Sequence, residues 1–111
     1  MYKKRQISII GGAGHVGFPL GLVLSSKGYY VKLIDKHQEN IKKINSGETP
    51  FLEKGAKRLL KKMLRKKKIM ASSNLKEIKF SKFIIICIGT PINKNLKPQT
   101  KQFFNFFSYL F

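Results

Sequence analysis

The sequence predicts an α/β fold, a doubly wound parallel sheet in three layers, and three observations lead there. Residues 7–10 form an apolar run that breaks directly into glycines at 12, 14 and 17. A second apolar run, 29–35, ends in Asp35, 18 positions after Gly17. A third, FIIICI within 82–88, closes on Gly89, Thr90 and Pro91. Runs without polar alternation are what parallel strands covered on both faces look like. Joined by helical stretches, they describe a Rossmann-type sheet, and an incomplete one, because a six-stranded unit needs more than 111 residues.

The first element is the strand at 7–10, expected at the centre of the sheet. It feeds Gly12-x-Gly14-x-x-Gly17, and the chain then reads PLGLVLSS, a helix starting near Val16. Strand, glycine turn and helix N-terminus together aim backbone N–H groups at a phosphate. In that arrangement Gly12 makes the sharp turn, Gly14 admits a pyrophosphate to the backbone, and Gly17 lets helix and strand approach. Pro19 is tolerated in the first turn, where N–H groups have no helical partner. Val16, Leu20, Val23 and Leu24 recur at helical spacing and are expected to face inward, with Gly28 as the stop.

The second strand, 29–35, completes a right-handed βαβ unit. Its terminal Asp35 lies where a dinucleotide fold needs a carboxylate to accept hydrogen bonds from ribose hydroxyls. A carboxylate there repels a 2′-phosphate, which points to NAD over NADP, although Lys36 weakens that preference. Gly11, Gly14 and Gly17 also spell G-x-x-G-x-x-G, and GGAGHVG resembles the first loop of the nucleotide-sugar epimerase branch of the short-chain dehydrogenases. Both readings bind a dinucleotide.

A short helix is expected over 37–45, with Ile41 and Ile44 inward and His37 solvated at its start. GETP follows as a turn. Residues 53–67 are helical again, with Ala56, Leu59, Leu60, Met63 and Leu64 in one stripe and Lys57, Lys61, Lys62, Arg65 and Lys66 facing away. A short strand over 69–72 and a helical turn over 74–79 lead to the strand at 82–88, read as buried on both faces. In an open α/β sheet ligands sit at the carboxyl ends of strands where the order reverses. Residues 12–17 and 89–91 are therefore expected to face each other across one crevice, with Thr90 offering a hydroxyl.

Charge and composition bound the function classes. The chain carries 23 basic and 5 acidic residues, a formal +18. Such an excess raises nucleic-acid binding as an alternative. A duller cause competes, because Lys, Ile, Phe, Asn, Tyr and Met, the residues of AT-rich codons, supply about half of the chain. The basic run near 61–68 has no aromatic residues for base stacking, which makes a nucleic-acid partner the weaker reading. Cys87 is the only cysteine, so neither a disulfide nor a cysteine metal site can be built, and its apolar surroundings suit a core residue. No signal-peptide core and no stretch of about 18 apolar residues is present, and a cytoplasmic protein without a membrane partner is expected.

Read in order, GAGHVGFPLG, the strand ending at Asp35, INSGETPFLEKG, the basic helix and IIICIGTP resemble the N-terminal NAD-binding domain of the UDP-glucose/GDP-mannose dehydrogenase family. That family includes UDP-N-acetylmannosamine dehydrogenases. The Val16-Gly17-x-Pro19-Leu20 extension and the Gly89-Thr90-Pro91 loop favour it over the epimerases. Lys54, where proline is common, and Gln99, where aspartate follows Pro98, depart from its pattern. The resemblance implies NAD contacts from His15, Val16, Asp35 and Thr90 beside Gly12, Gly14 and Gly17. It also implies oxidation of the C6 alcohol of a nucleotide sugar to a carboxylate, in two steps with two NAD, toward polysaccharide biosynthesis.

The family's nucleophilic cysteine and catalytic lysine match positions beyond Phe111, and Cys87 does not match that cysteine. No catalytic residue is assigned, and the sugar-nucleotide domain and dimer-forming central helix are likewise unmatched. The closing KQFFNFFSYLF fits the start of a further helix, whose apolar surface needs partners. A fragment or truncated gene product of poor solubility is the expectation, with a non-enzymatic remnant as an alternative reading.

Overall fold

The structure is a computed structural model and describes residues 6–88. Its elements are β1 (Gln6–Ile10), α1 (Gly17–Ser26), β2 (Tyr30–Ile34), α2 (Gln38–Asn45), α3 (Ala56–Arg65), β3 (Ile69–Ser72), a 3-10 turn (Leu75–Phe80) and β4 (Phe83–Ile86). All strand pairs are parallel, in the order β3-β2-β1-β4. The chain winds outward from β1 through β2 to β3 and then returns to the opposite side of β1. That reversal defines a doubly wound sheet and puts its switch point between β1 and β4.

Register explains where the core lies. Ile7 and Ile9 stand beside Val31 and Leu33, which stand beside Ile69 and Ala71. Side chains alternate across a strand, so these six share one face. The same buried cluster contains Phe18 and Leu22 of α1, Ile41 and Ile44 of α2, and Ala56, Leu60 and Met63 of α3. All three helices therefore rest on that face. The 3-10 turn lies against the other, where Ser8 bonds Ser81, Lys32 Nζ reaches Glu77 Oε1 at 2.6 Å, and Ser72 donates to Glu77.

Two expectations about burial are corrected. In α1 the buried face is Phe18, Gly21, Leu22 and Ser25; of the expected stripe Leu20 and Leu24 do pack against the core, partly buried, but Val16 and Val23 are 68% and 51% exposed. Gly21 sets this orientation, since a Cβ there would lie 2.5 Å from Leu33 Cδ2 and the helix needs that bare side to sit on β2. In β4, Phe83 and Ile84 are 53% and 43% exposed, so the strand is not covered on both faces. Among the described residues β4 is the last strand of the sheet, and α1–α3 lie over β1, β2 and β3 instead.

The remaining elements follow the expected lines. α2 buries Ile41 and Ile44, with Glu39 in its first turn and Lys42 and Lys43 in its last, as the helix dipole favours. α3 is shorter than 53–67 but buries Ala56, Leu60 and Met63 and leaves its cationic side in water. One contact had no periodic signal. The Asn45 side chain donates to Ala71 O at 2.8 Å and accepts from Ala71 N at 2.9 Å. It thereby satisfies a backbone pair on the outer edge of β3 that no strand covers among the described residues.

Candidate functional site

The glycine loop spans 11–16, between the carboxyl end of β1 and the start of α1. Its turn is made at Gly11, which has φ +82°, and not at Gly12 as the motif suggests. The N–H groups of Gly11 and Gly12 both donate to Ile34 O, at 2.8 and 3.0 Å, which ties the loop to the end of β2. Gly12 serves close packing, because a Cβ there would stand 2.6 Å from Leu33 Cβ. Gly17 does the same for the helix: its Cβ would meet Gly11 O at 2.3 Å.

Gly14 differs from both. A Cβ there would contact only Gly11 O, at 3.3 Å, a tight approach but not a collision. The fold by itself scarcely requires glycine at 14, so its bare backbone fits a demand from outside the chain: the approach of a ligand. The helix behind it suits an anion. Among the described residues no side chain caps α1 and no acidic residue occupies its first turn, which leaves the partial positive charge of its N-terminus without a partner on the helix itself.

Asp35 closes the site from the other side. Its Oδ2 accepts from Ala13 N at 3.0 Å, inside the glycine loop, and its Oδ1 accepts from His37 N at 3.1 Å. His37 Nδ1 lies 2.8 Å from the same Oδ1. Burial works to raise the Asp35 carboxyl, but the backbone and ring hydrogen bonds from His37 and the Ala13 N–H outweigh it. The carboxyl is held below its ordinary range and is an anion at neutral pH. Ala13 N, His37 N and His37 Nδ1 take three of the roughly four acceptor positions of this carboxylate, so a hydroxyl group can take the remaining one, and a second only by displacing the exposed His37 ring.

The structure thus brings Gly12, Gly14, Gly17 and Asp35 together at one end of the sheet, with His15 and Val16 exposed on the same loop. Thr90, and with it the expected crevice to 89–91, lies outside the described residues, as does the apolar 101–111 stretch. β4 ends beside the loop: Cys87 N donates to Ile10 O at 2.7 Å, and a Cβ on Gly11 would run into Cys87 O. Cys87 is half-buried against the core and burial pushes its thiol up, away from the reactive thiolate.

Two residues of this neighbourhood escaped sequence reasoning. His37 was expected to be a solvated helix-start residue; its ring is exposed, yet it braces Asp35. Phe51 gave no signal, because its partners His15 and Phe18 are more than 30 positions away. Among the described residues no three His, Cys, Asp or Glu side chains gather as a metal site, and no helix is long and apolar enough to cross a membrane.

The comparisons with known proteins converge. The family model for the UDP-glucose/GDP-mannose dehydrogenase family, NAD binding domain, matches residues 5–108. UDP-N-acetyl-D-mannosamine dehydrogenase of Pyrococcus horikoshii is 37% identical over 88 residues, 79% of this chain and 21% of that protein. GDP-mannose 6-dehydrogenase of Pseudomonas syringae pv. tomato is 36% identical over 91 residues, 81% of this chain and 20% of that one. Among solved structures, a ternary complex of GDP-mannose dehydrogenase from Pseudomonas aeruginosa superposes with a TM-score of 0.85 at 28% identity, covering 94% of this chain and 24% of that chain. The chain spans about a fifth of the length of the curated relatives it matches.

Proposed function

The chain belongs to the UDP-glucose/GDP-mannose dehydrogenase family as its NAD-binding domain, and from that premise we propose a specific site and a specific reaction. The site is formed by Gly12, Gly14, His15, Val16, Gly17, Asp35 and Thr90. The reaction is oxidation of the C6 alcohol of a UDP- or GDP-sugar to a carboxylate, and this chain supplies the cofactor-binding part. Bound NAD supplies the hydride acceptor. The residues here bind and orient it; the groups that act on the sugar are assigned to no position in this chain.

Each residue has a stated task. The backbone at 14–17 and the uncapped start of α1 hold the pyrophosphate. Asp35 accepts a ribose hydroxyl, and its charge rejects a 2′-phosphate at the same place. His15 and Val16 line the loop, and Thr90 would approach from the end of β4.

One observation carries this reading: the Asp35 carboxylate is hydrogen-bonded 3.0 Å from the glycine loop itself, so the ribose and pyrophosphate positions form one site. Hydrogen bonds to a charged partner are worth about 1.5–3 kcal/mol, so Asp35→Ala is expected to weaken NAD affinity by roughly 10- to 150-fold. It should also narrow the preference for NAD over NADP. Titration of both cofactors against both chains measures this, and equal NAD affinity in the variant would refute the assignment.

A further inference from the structure

The loop between α2 and α3 enters the cofactor site through one residue. Phe51 stacks on the His15 ring at 4.2 Å between centroids and 25° between planes, and meets Phe18 edge-on at 5.8 Å and 83°. Phe18 is fully buried in the first turn of α1. Three rings therefore form a continuous stack, from the core at Phe18, through Phe51, to the glycine loop at His15.

The consequence is conformational. Gly14 is tied on both sides, its N–H to Gly11 O and its C=O to Phe18 N, each at 3.1 Å, whereas His15 makes no hydrogen bond among the described residues and its side chain is exposed. A loop in that situation has freedom that a bound ligand must remove, and fixing it beforehand strengthens binding without any new contact to the ligand. Stacking on Phe51 restricts the His15 ring, and with it the backbone at His15. Phe51 can hold that place because Phe18 holds Phe51. We propose that Phe51 is a positioning residue of the dinucleotide site, acting on NAD affinity through His15 and not by touching the cofactor. The proposal rests on the reading of the glycine loop as the NAD site.

A double-mutant cycle on NAD affinity tests it, with the full chain and NAD as the probe: Phe51→Ala, His15→Ala and the pair. An aromatic contact of this kind corresponds to roughly a 2- to 12-fold change in affinity. Phe51→Ala should weaken binding by that factor in the parent chain and have no further effect once His15 is alanine. Phe51→Tyr, which keeps the ring, should bind as the parent does, whereas Phe51→Leu, which keeps apolar bulk, should bind as weakly as Phe51→Ala. Should Phe51→Ala fail to unfold cooperatively, the Tyr and Leu variants carry the test alone. Equal losses in both His15 backgrounds, or parent-like binding by Phe51→Leu, would overturn the role of Phe51. Asp35→Ala reports separately on the site: if it leaves NAD affinity unchanged, or the parent chain binds no NAD, the underlying reading fails and the proposal falls with it.

Discussion

The two faces of the sheet are built on different physics. On one, Ile9, Leu33, Leu60 and Ile44 are fully buried in a single apolar cluster under three helices. On the other, Ser8, Lys32 and Ser72 meet a 3-10 turn through hydroxyls and an ion pair, and Ile84 and Met70 reach water. The first face is held by area removed from water, which is insensitive to direction and pH. The second adds hydroxyl and charge contacts to the buried Ile10 and Ile34. The βαβ unit that carries the glycine loop and Asp35 packs its helix on the apolar face, and changes on the polar face should reach the proposed site least.

The comparison can be broken most severely at Leu33, which touches both the sheet and the glycine loop. Leu33→Ala should cost about 3 kcal/mol, as truncation of a buried leucine does, read from the midpoint of urea unfolding. A loss under about 1 kcal/mol would mean that the apolar face is not the main support. On the polar face, Lys32→Met leaves Glu77 partly buried without its cation and should cost about 1–2 kcal/mol by the same measurement.

Acid sharpens the distinction further. The Lys32 hydrogen bond and the Ser72 hydroxyl hold the Glu77 carboxyl below its ordinary range against the opposing effect of burial. A depressed carboxyl contributes stability that is fully present above the unfolded value of about 4.3 and is lost as pH falls through the folded value. Melting temperatures from pH 6 downward should therefore fall less steeply in Lys32→Met than in the parent chain. Asp35, also depressed, contributes to both curves alike, and parallel curves would remove the polar face from the acid response. The smallest effect is expected at exposed Ile84, where Ile84→Ser should change stability by no more than about 0.5 kcal/mol.

How much of the fold was legible depended on how local its signal was. α3 was read correctly because its apolar and charged residues segregate by face, so the period of 3.6 shows. α1 was misread in orientation because it is apolar nearly all round, and when both sides could be buried, spacing does not choose. Gly21 decides instead, through a contact with Leu33 on another element. β4 was expected to be covered twice because FIIICI lacks polar residues; whether a neighbour lies over a strand is a fact about the neighbour. The glycine at 14 and the aspartate at 35 were legible because the βαβ unit that joins them is itself local.

The sequence alone determined the order of elements, the doubly wound parallel sheet and the glycine turn with its partner carboxylate. The glycine turn and its carboxylate lie within one unit of about 30 residues, and the sheet follows from apolar runs that alternate with helical stretches along the chain. Tertiary structure alone decided which side of α1 faces inward, that Gly11 makes the turn, that His37 braces Asp35, and that Phe51 stacks on the loop. The first and last of these are contacts between distant segments chosen by packing in three dimensions, and the other two are local conformations; hydrophobic periodicity carries no record of either kind.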